Sequence, residues 1–480
     1  MDSEKVKEEV WRYIEENAEG FVEIARKIWE NPELGLQERF ASDLQTRVLE
    51  ENGFRIKRDI GGMPTAFIAE YGSGRPIIGV LGEYDALPGL SQKAKAQREP
   101  VREGAPGHGC GHNLLGTAGV AAAIAVKKLM EEGKISGTLR YYGCPAEETL
   151  VGKVYMAREG VYNDLDAVIT WHPMLLNAAW TSSSLAMISV RFEFKGIPAH
   201  AAASPEMGRS ALDAAELMNV GANYLREHVP EKVRIHYSIL YGGKEPNIVP
   251  DKAVVWYYIR APDPVLVEEV FERMKKIAQG AALMTETEVR WRVLTGCYNY
   301  LPNLTITRVV VDNMIKVGPP RFDEGDYKLA EELQKTMPPS GVLKVLKSMN
   351  VPEKLVKEIK DKPLHDSIAT EFYDLGLVMP GSTDVGDVSW VAPTAQFTAA
   401  CWPLGTPSHS WQATAASGSY IGFKGMIFAA KVLAGTAIDL LTNPDVLERA
   451  RKEFEEATGG RKYKPLIPED AKPPFEQFEH

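Results

Sequence analysis

The chain opens on a run, "VKEEVWRYIEENAEGFVEIARKIWENPEL", whose apolar residues recur at helical spacing as far as Asn31-Pro32, where proline cannot continue a helix. One or two helices are predicted there, laid against a sheet. Downstream come short apolar runs that each end in polar residues and a turn signal: "RPIIGVLGEYDALPG", "GTLRYYGCPAEET" and "LDAVITWHP". Helix-like stretches from Leu114 to Glu132 and from Gly152 to Gly160 lie between them. Strand alternating with helix predicts an α/β layer on a mainly parallel sheet. In such sheets ligands gather at the carboxyl ends of the strands.

After Ser183 the period shortens. "LAMISVRFEFKG" alternates apolar and polar positions, as a strand with one solvated face does. A helical stretch from Arg209 to Glu227 follows, then two strands ("VRIHYSILYGG" and "AVVWYYIRAPD"), a helix from Val265 to Met284 and a last strand, "EVRWRVLTG". That order is ferredoxin-like, two helices on one four-stranded sheet. Residues 184–298 therefore read as an α+β domain inserted into a larger one made of residues 1–183 and 299–480. In the later part a helix resumes at Asn303, and residues 318–363 read as variable helices and loops. Sheet texture returns at "APTAQFTAACWPLGTPSHSWQ", one long helix is predicted from Ala415 to Leu441, and the proline-rich tail reads as extended surface chain.

Composition narrows the class. A chain of 480 residues, 44% hydrophobic and 25% charged, can bury a sizeable core and is neither collagenous nor disordered. A net charge of -10 with no basic stripe argues against nucleic-acid binding, which needs clustered Lys and Arg. The acidic, amphipathic start lacks the features of a secretory signal, and no apolar run is expected to reach the ~18 residues of a membrane span. Four scattered cysteines (Cys110, Cys144, Cys297, Cys401) make no disulfide framework. A reduced, cytoplasmic setting is the expectation. A chemically special cysteine is then a ligand or a nucleophile, while Cys144 and Cys401, inside apolar runs, read as buried small hydrophobes.

The candidate chemistry sits where the apolar runs stop. In "GAPGHGCGHNLLG", His108, Cys110 and His112 alternate with glycine; the other candidates are Glu147-Glu148, His172 and His409. Each alone has a plain structural reading: His172 as a strand-end histidine bonded to backbone, the glutamate pair as acids in the first turn of a helix. Convergence changes this, because residues at the ends of four separate runs would meet in one crevice of a parallel sheet. Thiolate, imidazole and carboxylate together suit Zn²⁺, Mn²⁺ or Co²⁺ rather than Ca²⁺ or Mg²⁺. Cys110, His112, Glu148, His172 and His409 exceed the three protein ligands of a catalytic zinc site, so two ions are expected. Glu147, beside a ligand, suits a general base.

The motifs "GEYDALPGL", "GHGCGHNLLGTA", "PAEET", "WHP", "GIPAHAAASPEMGRSALDA", "NIVPDKA", "GSTDVGDVSW" and "GTPSHSWQ" occur in an order similar to that of the M20 metallopeptidases. The chain most resembles the amidohydrolase branch, which includes aminobenzoyl-glutamate and auxin-conjugate hydrolases. The resemblance implies a zinc-peptidase-like α/β catalytic domain with an inserted lid and dimerisation domain. By it, Cys110, His112, Glu148, His172 and His409 ligate two divalent ions, Mn²⁺ or Zn²⁺ or else Co²⁺. Glu147 is the general base that works on metal-activated water, and Asp85 orients a metal-bound group. His200 reaches a partner subunit's site to stabilise the oxyanion, and Asn247 and Arg260, taken to lie on the next strands, bind a substrate carboxylate. The implied reaction is cleavage of the amide of an N-acyl or N-aroyl amino acid such as p-aminobenzoyl-glutamate, by a homodimer or a heteromer with a related chain.

This sequence departs from the wider family at two positions. Glu83 stands where other branches carry a ligand histidine, and Cys110 lies near the place of their bridging aspartate. By the same resemblance His108 is a neighbour of the ligands and not one of them. Asp384 and Asp387 read equally as pocket residues and as turn or cap aspartates, and His228, His236, His365 and His480 match no motif. The competing readings are an arylamine deaminase, a dipeptidase or aminopeptidase, and a non-catalytic partner subunit; an intact Glu147 speaks against the last.

Overall fold

The computed structural model describes residues 3–478, so His480 lies outside the described residues. In chain order the elements begin α1 (Ser3–Glu16), α2 (Ala18–Glu30), α3 (Arg39–Glu51), β1 (Arg55–Ile60), β2 (Met63–Ser73), β3 (Ile77–Glu83), α4 (His112–Glu131), β4 (Gly137–Cys144), α5 (Gly152–Arg158), β5 (Ala167–Met174) and β6 (Ala178–Trp180). Then come β7 (Ala186–Lys195), α6 (Ala211–Leu225), β8 (Arg234–Tyr241), β9 (Lys252–Ala261), α7 (Pro264–Thr285) and β10 (Glu288–Cys297). The chain continues through α8 (Leu304–Val317), α9 (Glu324–Gln334), α10 (Gly341–Ser348), α11 (Glu353–Ile359), α12 (Val385–Ser389), β11 (Thr394–Ala400), α13 (Trp411–Ser417), α14 (Tyr420–Thr442) and α15 (Pro444–Thr458).

These elements form two compact units. The larger takes the residues up to Ser183, Leu301–Leu377 and Val388–Tyr463. Its seven-stranded sheet has the order β1-β2-β4-β3-β5-β11-β6. The central four strands run parallel, and β1, β2 and β6 are antiparallel to their neighbours. β3, β4, β5 and β11 are buried along nearly their whole length, the reason they appear in the sequence as unbroken apolar runs.

Two helices with apolar residues all round, α4 and α14, pack on each other and on this sheet. Both are long and apolar enough to cross a membrane by length and composition, which corrects the expectation that no run reaches that length. In each, 83% of the apolar window is buried inside the fold. The single helix expected from Ala415 to Leu441 is instead two. Gly418 lies against the Trp29 ring, and the Ser419 hydroxyl accepts from the Ile421 N–H to start α14 afresh.

The smaller unit comprises Ser184–Tyr300, Val378–Asp387 and the residues from Lys464 onward. Its antiparallel sheet has the order β10-β7-β9-β8, with α6 and α7 against one face. This is the ferredoxin-like arrangement of the period-two reading. Two later segments, expected with the larger domain, join it instead, and hydrogen bonds explain why. Leu185 N–H donates to Gly381 O, Tyr298 N–H to Asp387 Oδ2 and the Tyr298 hydroxyl to Lys464 O, while Arg292 pairs with Glu476.

Candidate metal centre

The site lies at the carboxyl end of the parallel strands of the larger unit. Glu83 ends β3 and Asp85 follows it; Glu147 and Glu148 lie just past β4; His409 sits in the loop after β11. Two placements differ from the sequence reading. His172 lies within β5, opposite Thr398 of β11, rather than at the strand's end. Cys110 and His112 follow a long loop from β3 and open α4, where Gly111 adopts φ +75° and a Cβ would come 2.9 Å from Pro173 Cβ. A glycine is required there on both counts.

Groups outside the cluster orient several of the ligand candidates. His112 Nδ1 lies 2.8 Å from Asp85 Oδ1, which leaves Nε2 facing the site. The other Asp85 oxygen accepts the Glu148 N–H at 2.8 Å. His172 Nδ1 donates to Pro173 O at 2.8 Å, so its Nε2 is left as the acceptor, 3.4 Å from Cys110 Sγ. His409 N–H donates to Gly109 O at 3.2 Å, and its Nε2 lies 3.4 Å from Glu148 Oε2. Glu147 Oε2 is 3.9 Å from His112 Nε2. Holding the far side of the His112 and His172 imidazoles is how proteins present the near side to a metal.

Cys110 and His112 are buried, the Glu148 side chain is 9% exposed and that of His409 52%, so the cluster opens toward solvent on the His409 side. Burial pushes the Cys110 thiol well up, and the Glu148 carboxylate adds to it. Burial pushes Glu148 itself up to about 7, with Asp85 reinforcing and His112 opposing. Burial, then His112, pushes His172 down to about 4. Burial works against a charged His112, but Cys110 and Asp85 outweigh it and hold its proton above the usual range.

The residues fit divalent ions. Cys110, His112 and His172 form one donor group, Cys110, Glu148 and His409 a second, and Glu83, His112 and Glu147 a third, with the ligand atoms of each within 4.8 Å of one another. His112 Nε2 and Glu148 Oε1 are buried without a hydrogen-bond partner. Such orphaned groups cost roughly 1–3 kcal/mol apiece unless something satisfies them. A cation would.

His108 is a structural neighbour: buried, it bonds through Nε2 to Ile28 O at 3.2 Å, tying the loop to α2, and burial followed by His112 pushes it down to about 3. Sequence reasoning missed Glu38 and Lys153. Glu38, fully buried, accepts the Ala146 N–H at 2.7 Å and the Thr65 hydroxyl at 3.1 Å. It thereby holds the residue before Glu147, which has the left-handed φ of +54°. Burial and the Asp85 carboxylate push Glu38 up to about 8. Lys153, in α5, is fully buried with Nζ 2.6 Å from Glu83 Oε1. Its one sequence signal is a lysine between Gly152 and the apolar run "VYMA".

In the smaller unit, His200 is exposed and its Nδ1 accepts from the Ala202 and Ala203 N–H groups at 3.2 and 3.1 Å, which puts the ring proton on Nε2. Ala201 N–H donates to Asn247 O at 2.9 Å, so the His200 and Asn247 segments adjoin. Asn247 lies in the loop after β8, not on a strand, because the strand ends at Tyr241 before "GGKEP". Arg260, on β9, donates from Nη1 to Ser382 Oγ at 2.9 Å and keeps Nε buried without a partner. Asp387 is fully buried and accepts the Tyr298 N–H, the structural one of its two readings.

Known proteins share this fold and part of this sequence. A sequence model described as the peptidase dimerisation domain (M20) matches residues 185–285. The chain is 41% identical to the B-type subunit of the p-aminobenzoyl-glutamate hydrolase of Escherichia coli, over 97% of this chain and 99% of that one. The chain belongs to the M20 peptidase family. A second member, the Xaa-Arg dipeptidase of Mus musculus, is 30% identical over 92% of this chain and 90% of its own. Among solved M20-like folds, an aminobenzoyl-glutamate utilization protein from Klebsiella pneumoniae superposes with a TM-score of 0.60 at 17% identity, covering 90% of this chain and 98% of that one. A dinuclear metal-binding M20 peptidase from Bacillus subtilis gives 0.55 at 17% identity, covering 89% and 99%. The mixed sheet and the inserted four-stranded domain are thus the M20 fold, and the chain is an M20 metallo-hydrolase.

Proposed function

We propose that this M20 enzyme is a metal-dependent amidohydrolase that cleaves N-acyl or N-aroyl amino acids of the p-aminobenzoyl-glutamate kind. The observation that carries the reading is the convergence of Cys110, His112, Glu148, His172 and His409, with Glu147 beside them, in a chain 41% identical along its length to a hydrolase of that substrate. These five residues would hold two ions, Mn²⁺, Zn²⁺ or Co²⁺. When bound, the ions supply Lewis acidity that activates water and polarises the scissile carbonyl. Glu147 takes the proton from the attacking water and returns it to the leaving nitrogen. Asp85 fixes the His112 ring and the Glu148 backbone at once. Asn247 and Arg260 recognise the substrate carboxylate, for which the planar guanidinium of Arg260 offers a fork of donors.

A homodimer is part of the proposal. The edge strand β8 exposes Tyr237, Ile239 and Leu240, and α6 exposes Leu217, Val220 and Tyr224, an apolar rim fitted to a second copy of the chain. His200 of that copy, with its donor Nε2–H, would bind the oxyanion. We place the enzyme in the reducing cytoplasm, where Cys110 stays available as a thiol.

The test is a substrate panel of N-aroyl amino acids, dipeptides with free amino termini and arylamines. Highest kcat/KM on N-aroyl amino acids is expected. Preference for dipeptides ending in arginine, the reading favoured by the similarity to the dipeptidase, would replace the substrate assignment.

A further inference from the structure

Three donor groups overlap in this centre, and only two of them contain Cys110. The third, Glu83 with His112 and Glu147, is made of oxygen and nitrogen alone. It differs in another respect. Glu83 Oε1 is engaged by the Lys153 ammonium at 2.6 Å, and both side chains are withdrawn from solvent, at 3% and 0% exposure. The remaining oxygen, Oε2, lies 3.2 Å from His112 Nε2 with no hydrogen bond between them.

We propose that Lys153 is the resident cation of the Glu83 side, keeping Glu83 out of the metal-ligand set and directing the divalent ions to Cys110, Glu148, His172 and His409, with His112. The inference rests on the metal-dependent reading above and adds a positioning residue to it. Glu83, Asp85, Glu147 and Glu148 crowd four carboxylates around one imidazole, and Lys153 is the basic side chain that meets one of them inside the fold. A divalent ion bound to Glu83 would sit close to that ammonium in a poorly solvated place, where like charges a few ångströms apart repel by several kcal/mol even at an effective dielectric of about 20. Among the described residues, the ion pairs of Glu148 on the thiolate side are with His112 and His409 and include no lysine or arginine.

The pair also explains how a carboxylate can stand at this buried position. A carboxylate buried alone would be costly, and removing one partner of a buried pair leaves the other charge uncompensated. Lys153 balances Glu83 whether or not ions are present. Its backbone is anchored by the turn before α5, where Val151 N–H donates to Ala146 O and Leu150 N–H to Glu147 O. The ammonium and the proposed base are therefore carried by one short stretch of chain.

The test compares wild type, Glu83→Gln, Lys153→Met and the double variant, each stripped of metal and titrated with Mn²⁺, with bound ions per chain read by elemental analysis and affinity by calorimetry. Glu83→Gln should keep the wild-type number of ions. Lys153→Met should bind an additional Mn²⁺, or bind Mn²⁺ at least about tenfold tighter, because a repelling charge is gone. The double variant should return to the wild-type number. Loss of an ion in Glu83→Gln, or wild-type binding in Lys153→Met, would overturn the inference. If Lys153→Met does not fold without metal, Glu83→Gln alone decides, by its ion count. A wild-type chain that retains no Mn²⁺ would overturn the metal-dependent reading and this inference with it.

Discussion

At the scale of residues, the ligand candidates and the proposed base were legible because their chemistry is distinctive: a cysteine, histidines and paired glutamates punctuating apolar runs. The residues that hold them were not, since Glu38 and Lys153 have ordinary side chains whose significance comes only from burial beside other charges. Glu38 also lies outside every predicted element, on the turn before α3. It bonds the Ala146 N–H, and a Cβ on Gly35 would come 3.0 Å from the same residue, so this turn braces the backbone leading to Glu147. Glu38→Ala should lower kcat by about tenfold or more, since small misplacements of catalytic groups are expensive, with KM and bound metal little changed. Glu38→Gln, which keeps an acceptor for Ala146, should recover most of that loss. Equal kcat in the two variants, by steady-state kinetics, would count against a positioning role.

At the scale of elements, period two and helical period located β3–β5, β7–β11 and most of the longer helices within a few residues, because apolar burial on one face or on both writes directly into the sequence, while β1, β2, β6 and α3 went unread. They also missed features of three-dimensional fit. At the break before Ser419, Gly418 leaves room for the ring of Trp29, distant in sequence, and Asn247 falls in a loop because β8 ends before "GGKEP". The alternation of glycine with Cys110 and His112 marks a loop entering α4 rather than a strand end, and Gly111 is its critical joint. Gly111→Ala should cost about 1–2 kcal/mol from the left-handed backbone alone, and more from the clash with Pro173. Because Gly111 stands between Cys110 and His112, its loss should also weaken metal binding. Thermal melts with and without Mn²⁺ would read both effects; an unchanged melting temperature would mean that the joint has no such constraint.

At the scale of the whole molecule, the period-two interruption of an α/β texture revealed the inserted domain. The two later segments that join it could not be read, since they are tied by hydrogen bonds and an ion pair rather than by periodicity. The metal-free protein should show a definite pH dependence. Glu38, held up to about 8, and Glu148, held up to about 7, keep protons in the folded state that the unfolded chain has already released. Folding then binds more protons than unfolding, and stability falls as pH rises. His108 and His172, held down to about 3 and 4, act oppositely, but their contribution is complete once pH exceeds the unfolded histidine value of about 6.5. Between about pH 7 and 8.5 the falling terms remain, so the melting temperature in chelator should drop over that window. A flat or rising profile would contradict the buried-carboxyl assignment.

The most direct measurement is release of p-aminobenzoate from p-aminobenzoyl-glutamate by the chain stripped with chelator, by the same chain reloaded with Mn²⁺, Zn²⁺ or Co²⁺, and by reloaded Glu147→Gln. The stripped chain should be inactive and at least one reloaded form active. The variant should retain its metal while turning over at least about a hundredfold more slowly, the usual contribution of a general base. Full activity after stripping, or near-wild-type kcat in Glu147→Gln, would contradict a metal-dependent amidohydrolase with Glu147 as its base.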